Sequence, residues 1–175
     1  MKKLLIAAFA VVLISLSCKK SGSSSSTYYF KGSANDTAMT FNVNATAILD
    51  STSGFTELAL TGNVSSAANL QGLTLDINNT PSGKPIVAGT YTETNTTDYV
   101  VGGVFNPGSS SVVYGAGEFA TPTNPLTITI TSIDKNSVKG TFSGDFYYTN
   151  VSTGYIGQPV KTFTNGQFYL KVVSQ

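Results

Sequence analysis

Nine carboxylates are the side chains best suited to acid–base chemistry in this 175-residue chain: Asp36, Asp50, Glu57, Asp76, Glu93, Asp98, Glu118, Asp134 and Asp145. Two of them brought together by folding could hydrolyse a glycoside, one as acid and the other as base or nucleophile. Nothing in their spacing pairs them. Each stands isolated, and solvated strand faces or turns are the expected setting for nearly all. The chain has no His with which to build a conventional triad or to ligate zinc or copper. Asp134-Lys135-Asn136 opens like a calcium loop, with Asp145 at the closing position. The fifth place is Val138 and the sixth is not Gly, so a hairpin turn is the expected structure. The reading is a protein that is not an enzyme and has neither a metal site nor a cofactor.

The other reactive group is a thiol. Cys18 is the one cysteine, and it lies in ISLSCKKSGSSSS, between an apolar run and a serine tract. Lys2 and Lys3 form a positive start and Leu4–Leu16 an apolar stretch of secretory length, too short to cross a bilayer comfortably. Ser15-Leu16-Ser17-Cys18 resembles the lipobox of bacterial lipoproteins, with Ser15 where the usual pattern has Leu. That resemblance implies cleavage before Cys18 and acylation of its sulfur and new amine. Residues 1–17 are then a lipoprotein signal peptide, and residues 18–26 are the lipidated Cys and a Ser-rich tether. The tether's reach is roughly 15–20 Å. Several acyl chains hold a protein on a membrane far more firmly than one. The expected location is the cell envelope, at the outer membrane, with the periplasmic and the surface face both open.

Charge narrows the partners. Charged residues are 11% of the chain, every basic residue is Lys, and Arg and Trp are missing. Loss of Lys2 and Lys3 leaves eight lysines against nine acids. A chain so close to neutral has no net field for phosphate or anionic lipid, and without an Arg fork nucleic acid is not an expected partner. The membrane, through Cys18, and a glycan or envelope protein are the partners left.

The elements that must position any site read as strands. Leu126, Ile128 and Ile130 alternate with Thr127, Thr129 and Thr131. Val138, Phe142, Phe146 and Tyr148 oppose Lys139, Thr141, Ser143, Asp145 and Tyr147. Leu73, Leu75 and Ile77 give another buried face, as do Phe168, Leu170 and Val172, and Phe41, Val43, Ala45 and Ala47. Period two with β-branched enrichment is the half-buried antiparallel strand. Turns are expected at Asn79–Gly83, Asn106–Ser109 and Asp134–Ser137, and Asn165-Gly166 is expected as a type I′ hairpin turn. Gly140 and Gly144 are expected to mark bulges or close backbone approach, serving packing. Residues 27–175 thus form one all-β domain, an antiparallel β-sandwich of about nine or ten strands joined mostly as a meander. A closed, lipocalin-like antiparallel barrel is the alternative.

The lipobox, the tether, a Gly-Thr-Tyr turn at Gly89–Tyr91, LTITITSID at Leu126–Asp134, VKGTFSGDF at Val138–Phe146 and TNGQFYLKV at Thr164–Val172 resemble a group of small Bacteroidetes lipoproteins. They are a domain family of unknown function. The resemblance implies the fold and, by analogy with envelopes devoted to polysaccharide use, glycan binding. Surface-exported lipoproteins of that phylum carry acids soon after the cysteine, whereas this chain has Lys19 and Lys20. Asp36-Thr37-Ala38 and Asp50-Ser51-Thr52 look like O-glycosylation sites of that phylum, at Thr37 and Ser51.

Sugars are held by aromatic faces ringed with hydrogen-bonding side chains. Tyr91, Tyr99 and Tyr155 are the tyrosines that loops could present, and Tyr28-Tyr29 and Tyr147-Tyr148 should each place one ring on either side of a sheet. Two functions follow. The first is an envelope-anchored, non-catalytic binding module for glycans. The alternative is a structural or accessory lipoprotein docking a larger envelope protein complex by its sheet edges or faces.

Overall fold

The computed structural model describes residues 28–51, 56–65, 71–80, 82–108, 112–117, 122–150 and 155–174. The expected signal peptide, the expected lipidation site at Cys18, the expected tether and Glu118 lie outside them. Every regular element among the described residues is a strand: β1 (Tyr29–Ala34), β2 (Thr37–Thr40), β3 (Val43–Asp50), β4 (Glu57–Asn63), β5 (Gln71–Asn78), β6 (Gly89–Thr92), β7 (Val100–Pro107), β8 (Val112–Ala116), β9 (Thr127–Ile133), β10 (Ser137–Asn150) and β11 (Tyr155–Ser174). The all-β reading holds, with eleven strands among the described residues against the nine or ten expected.

All eleven belong to one hydrogen-bonded sheet, ordered β2-β1-β11-β3-β4-β5-β7-β8-β10-β9-β6, and β10 pairs in addition with β11. Seven strands, from β11 through β3 to β8 and β10, therefore close a circuit of pairs. Six of the eleven pairings join sequential strands, a meander only in part, and all the pairings but one are antiparallel. The exception is the pairing of Val172, Val173 and Ser174 of β11 with Ala47, Ile48 and Leu49 of β3, which is parallel and makes the sheet mixed. Two long strands allow this arrangement. The first half of β10 pairs with β9 and its last residues with β8, while β11 follows it along its length.

The alternation predicted from sequence places the core. Leu126, Ile128, Ile130, Val138, Phe142, Phe146, Leu73, Leu75, Ile77, Phe168, Leu170 and Val172 are buried, as are Phe41 and Ala47. Phe163 is fully buried at the centre, with ring centroids 5.0 Å from Phe146, 5.3 Å from Phe105 and 6.0 Å from Phe142. The Phe146 and Phe105 pairs are edge-on and the Phe142 pair tilted, and aromatic pairs of this kind contribute about 0.5–1.5 kcal/mol each beyond the area they bury.

Two turn expectations differ from what forms. Asp134–Ser137 is the hairpin expected, with the Asp134 carboxylate accepting the Asn136 and Ser137 N–H groups at 2.7 and 2.9 Å. Asn165-Gly166, however, is no hairpin: β11 runs straight through it. Only Asn165 takes positive φ, at 53°. Opposite Gly32 of β1 and Ser143 of β10 the strand carries one residue too many, so the pair is a β-bulge. Asn is among the residues that tolerate the left-handed region, which is why the same dipeptide serves either purpose. The true two-residue turn lies at Asn35-Asp36, with φ 46° and 63°, between β1 and β2. Gly89-Thr90-Tyr91 is likewise strand β6, not a turn.

Gly140 behaves as expected. It sits at a register shift against β9, and a Cβ there would lie 2.1 Å from the Thr129 carbonyl oxygen and 2.5 Å from the Phe168 ring.

Candidate functional site

Of the tyrosines expected in loops, Tyr91 is buried and Tyr99 half-buried. Tyr91 is 5% exposed in β6, because its neighbours Thr90 and Thr92 take the outward positions of the strand. Its hydroxyl donates to the Val87 carbonyl at 2.7 Å and accepts the Val87 N–H at 2.9 Å. Burial raises its pKa above the ordinary phenol value. Tyr99 is half-buried, edge-on to Tyr91 with centroids 4.8 Å apart, and donates to the Pro85 carbonyl. Both rings serve the core and its margin. Tyr155 opens β11, and its side chain lies outside the described residues.

Other tyrosines converge. Tyr29 of β1 pairs directly with Tyr169 of β11, and Tyr169 with Lys139 of β10. Tyr28, which precedes the strand and so escapes its alternation, turns onto the same ring. Tyr28 and Tyr29 have centroids 5.0 and 6.2 Å from Tyr169. The expected split of Tyr28 and Tyr29 to opposite faces does not occur. In the second pair Tyr147 is buried and Tyr148 packs on Tyr114, with a register shift between the two.

The strand residues beside this cluster are polar and face outward. Register places Thr90, Thr129, Thr141, Gln167, Lys31 and Thr40 in one row across β6, β9, β10, β11, β1 and β2. Directly opposed side chains lie about 4.5–5.5 Å apart at Cβ. The row is a ladder of hydroxyl, amide and ammonium groups crossing six strands, and Thr90 and Thr129 bond each other at 3.2 Å.

The bulge hollows this face. On one side of Asn165 and Gln167 is a trough of about 310 Å³ walled by Thr127, Thr129, Thr141 and Ser143. On the other is one of about 260 Å³ walled by Lys31, Ser33, Ala38 and Thr40. Phe142 and Gly166 form the floor of the first. A Cβ on Gly166 would meet the Phe142 carbonyl oxygen at 2.4 Å and its ring at 2.5 Å, so glycine is what lets the floor close.

Two carboxylates depart from the solvated setting expected of them. Glu93 and Asp145 are 9% and 4% exposed. They grip residues 124–126 from two sides. Glu93 accepts the Leu126 N–H at 2.6 Å and the Gly117 N–H, while Asp145 accepts the Asn124 N–H, the Asn124 amide and the Thr162 hydroxyl. Tyr147 adds a hydroxyl that accepts the Thr123 N–H at 3.0 Å. The segment 122–126 thus crosses the outer side of β10, which is why Asp145 and Tyr147 are covered although alternation turns them outward. Burial raises the Glu93 pKa, its two amide bonds lower it, and the Asp145 charge adds a smaller push upward. The oxygens of both carboxylates are engaged with the chain itself, an arrangement that fastens a strap.

Of the modification candidates, Thr37 is exposed directly after the Asn35-Asp36 turn, and Ser51 is exposed after β3. Among the described residues no three of His, Cys, Asp or Glu gather where they could hold a metal ion, and no helix is long and apolar enough to cross a membrane. No protein-family model, curated protein or solved structure matches the chain.

Proposed function

We propose that this protein is a lipid-anchored module of the bacterial cell envelope that binds glycan without acting on it, through the outer face of β1, β11, β10 and β9. One observation carries the reading: a row of outward hydroxyl, amide and ammonium side chains lies against a cluster of three tyrosines and beside a trough. Stacking surface next to fixed donors and acceptors is the chemistry a sugar ring asks for. Cys18 would carry the acyl chains and place the module at the outer membrane, in keeping with the resemblance to small Bacteroidetes lipoproteins. We read the sheet as folding over into two packed layers, a sandwich, because Phe163 of β11 and Phe105 of β7 touch although their strands are not neighbours in the ladder.

The alternative, docking to a larger envelope complex by a sheet edge, has weaker support. The ladder ends at β2 and β6, each only four residues long, and short edges are how sheets avoid such pairing.

The test is retention of the mature lipidated chain, in neutral detergent, on a panel of immobilised polysaccharides. Tyr169→Ala is expected to abolish retention, while Tyr99→Ala lowers stability and leaves retention intact. Equal retention of wild type and Tyr169→Ala on every polysaccharide would overturn the site.

A further inference from the structure

The near-neutral charge of the chain conceals where the charges lie. Lys31, Lys139 and Lys171 all point outward from β1, β10 and β11, flanked by buried residues on either side in their strands. Lys139 is directly opposite Tyr169, Lys171 is two residues along from it, and Lys31 is opposite Gln167. The Lys31 ammonium rests 5.2 Å from the centre of the Tyr29 ring, so it stands at the tyrosine cluster itself. The one carboxylate in these three strands is Asp145, which lies under the strap. Asp134, at the near turn, is folded onto backbone amides. The ion pair seen among the described residues, Lys84 with Asp98 at 2.7 Å, lies elsewhere. Three ammonium groups therefore surround an aromatic platform, and among the described residues of β1, β10 and β11 no outward carboxylate stands beside them.

We infer that this face takes an acidic polysaccharide, one whose sugar rings carry negative charge: rings stack on Tyr29 and Tyr169 while Lys31, Lys139 and Lys171 meet the charges and Gln167 the hydroxyls. The inference rests on the glycan reading above and adds the ligand's charge. Lysines suit such a ligand, as flexible point charges that follow groups spaced irregularly along a chain. Exposed pairs of this kind are screened by salt, so affinity should fall as ionic strength rises.

Matched pairs of probes decide it. The mature lipidated chain in neutral detergent is titrated with polygalacturonate and its methyl ester, and with dextran sulfate and dextran. At least one acidic member is expected to bind more tightly than its neutral twin. The triple variant Lys31→Gln, Lys139→Gln, Lys171→Gln should bind it about tenfold more weakly, and Lys84→Gln should be unchanged. Unchanged melting temperature in the triple variant confirms that folding is intact. Equal binding of acidic and neutral twins, untouched by the triple variant, would overturn the inference and leave the glycan reading standing. Binding of none of the four would overturn both. If the wild type, but not the triple variant, instead gathers on micelles doped with phosphatidylglycerol, the face belongs to anionic lipid.

Discussion

Two outward faces of this one sheet are built from the same alternation and end up opposite in character. Over β3, β4 and β5 the outward positions include Asp50, Glu57 and Asp76, and those strands contain no lysine. Over β1, β11 and β10 they include Lys31, Lys139 and Lys171 with Tyr29 and Tyr169. Regularity differs as well. On the acidic side β3–β4 is shifted once, between Val43 and Thr46, while β4–β5 and β5–β7 run without a shift; on the lysine side β1–β11 is shifted once and β10–β11 twice. A sheet that only needs to cover a core can be regular. Bulges re-aim side chains, and the one at Asn165-Gly166, which shifts β11 against both β1 and β10, is the irregularity that shapes the tyrosine and lysine face.

The largest effect should come from filling the floor of the trough. Gly166→Ala drives a methyl into the Phe142 backbone and ring, and neither can give way without moving β10. A loss of about 3 kcal/mol in urea unfolding is expected. Thr74→Ala, in the regular β4–β5 pair, removes one hydroxyl that shares a 3.3 Å bond with Thr61 and should cost within about 0.5 kcal/mol. Equal losses at the two sites would erase the distinction between the faces.

Next is the strap that borders the tyrosine and lysine face. Glu93→Gln keeps the shape but offers one carbonyl oxygen where two backbone N–H groups arrive, and turns a donor toward the other. A buried donor left unpaired costs about 1–3 kcal/mol, and thermal unfolding should show a loss in that range. No loss would mean that the Leu126 side chain, fully buried, holds the segment without the clasp.

How much of this could be read from the chain follows from one physical distinction. Alternation is a property within a strand, so the outward positions of Lys139, Thr141, Ser143, Tyr169 and Lys171 were legible, as was the core they back onto. Register is a property between strands, and it alone brings Tyr29, Tyr169 and Lys139 into one row. Asn165-Gly166 was misread for the same reason: one dipeptide fits a turn or a bulge, and the neighbouring strands decide. Tyr91 and Tyr99 drew attention because turn-forming residues surround them, yet Tyr91 lies within a short strand that turns it inward. Glu93 and Asp145 looked solvated because nothing local reveals that a distant segment, 122–126, crosses over them.

A middling effect separates packing from recognition. Tyr99→Ala removes an edge-on partner of Tyr91 and a hydroxyl bond to Pro85, for an expected loss of about 1–2 kcal/mol in stability. Retention on polysaccharide should be unchanged. Loss of retention at full stability would move the proposed binding surface from β11 to the β6–β7 connection.

The smallest effect tests the acidic face. Asp76 is half-buried, and both its burial and the Glu57 charge raise its pKa above the usual 3.8. A folded-state pKa above the unfolded one means that the native chain holds its proton longer. Ionising Asp76 therefore costs stability, and the cost develops as pH rises from about the unfolded value through the raised one. Below that window wild type and Asp76→Asn should melt together. Above it the variant should gain, by no more than about 0.5 kcal/mol, the range of surface substitutions. Added salt should shrink the gain at neutral pH by screening Glu57, though burial keeps part of it. A gain already present at low pH would mean that the carboxylate is disfavoured by its shape and not by its charge. The acidic face would then be a neutral partner to the lysine face, and the segregation of charge would matter on one side only.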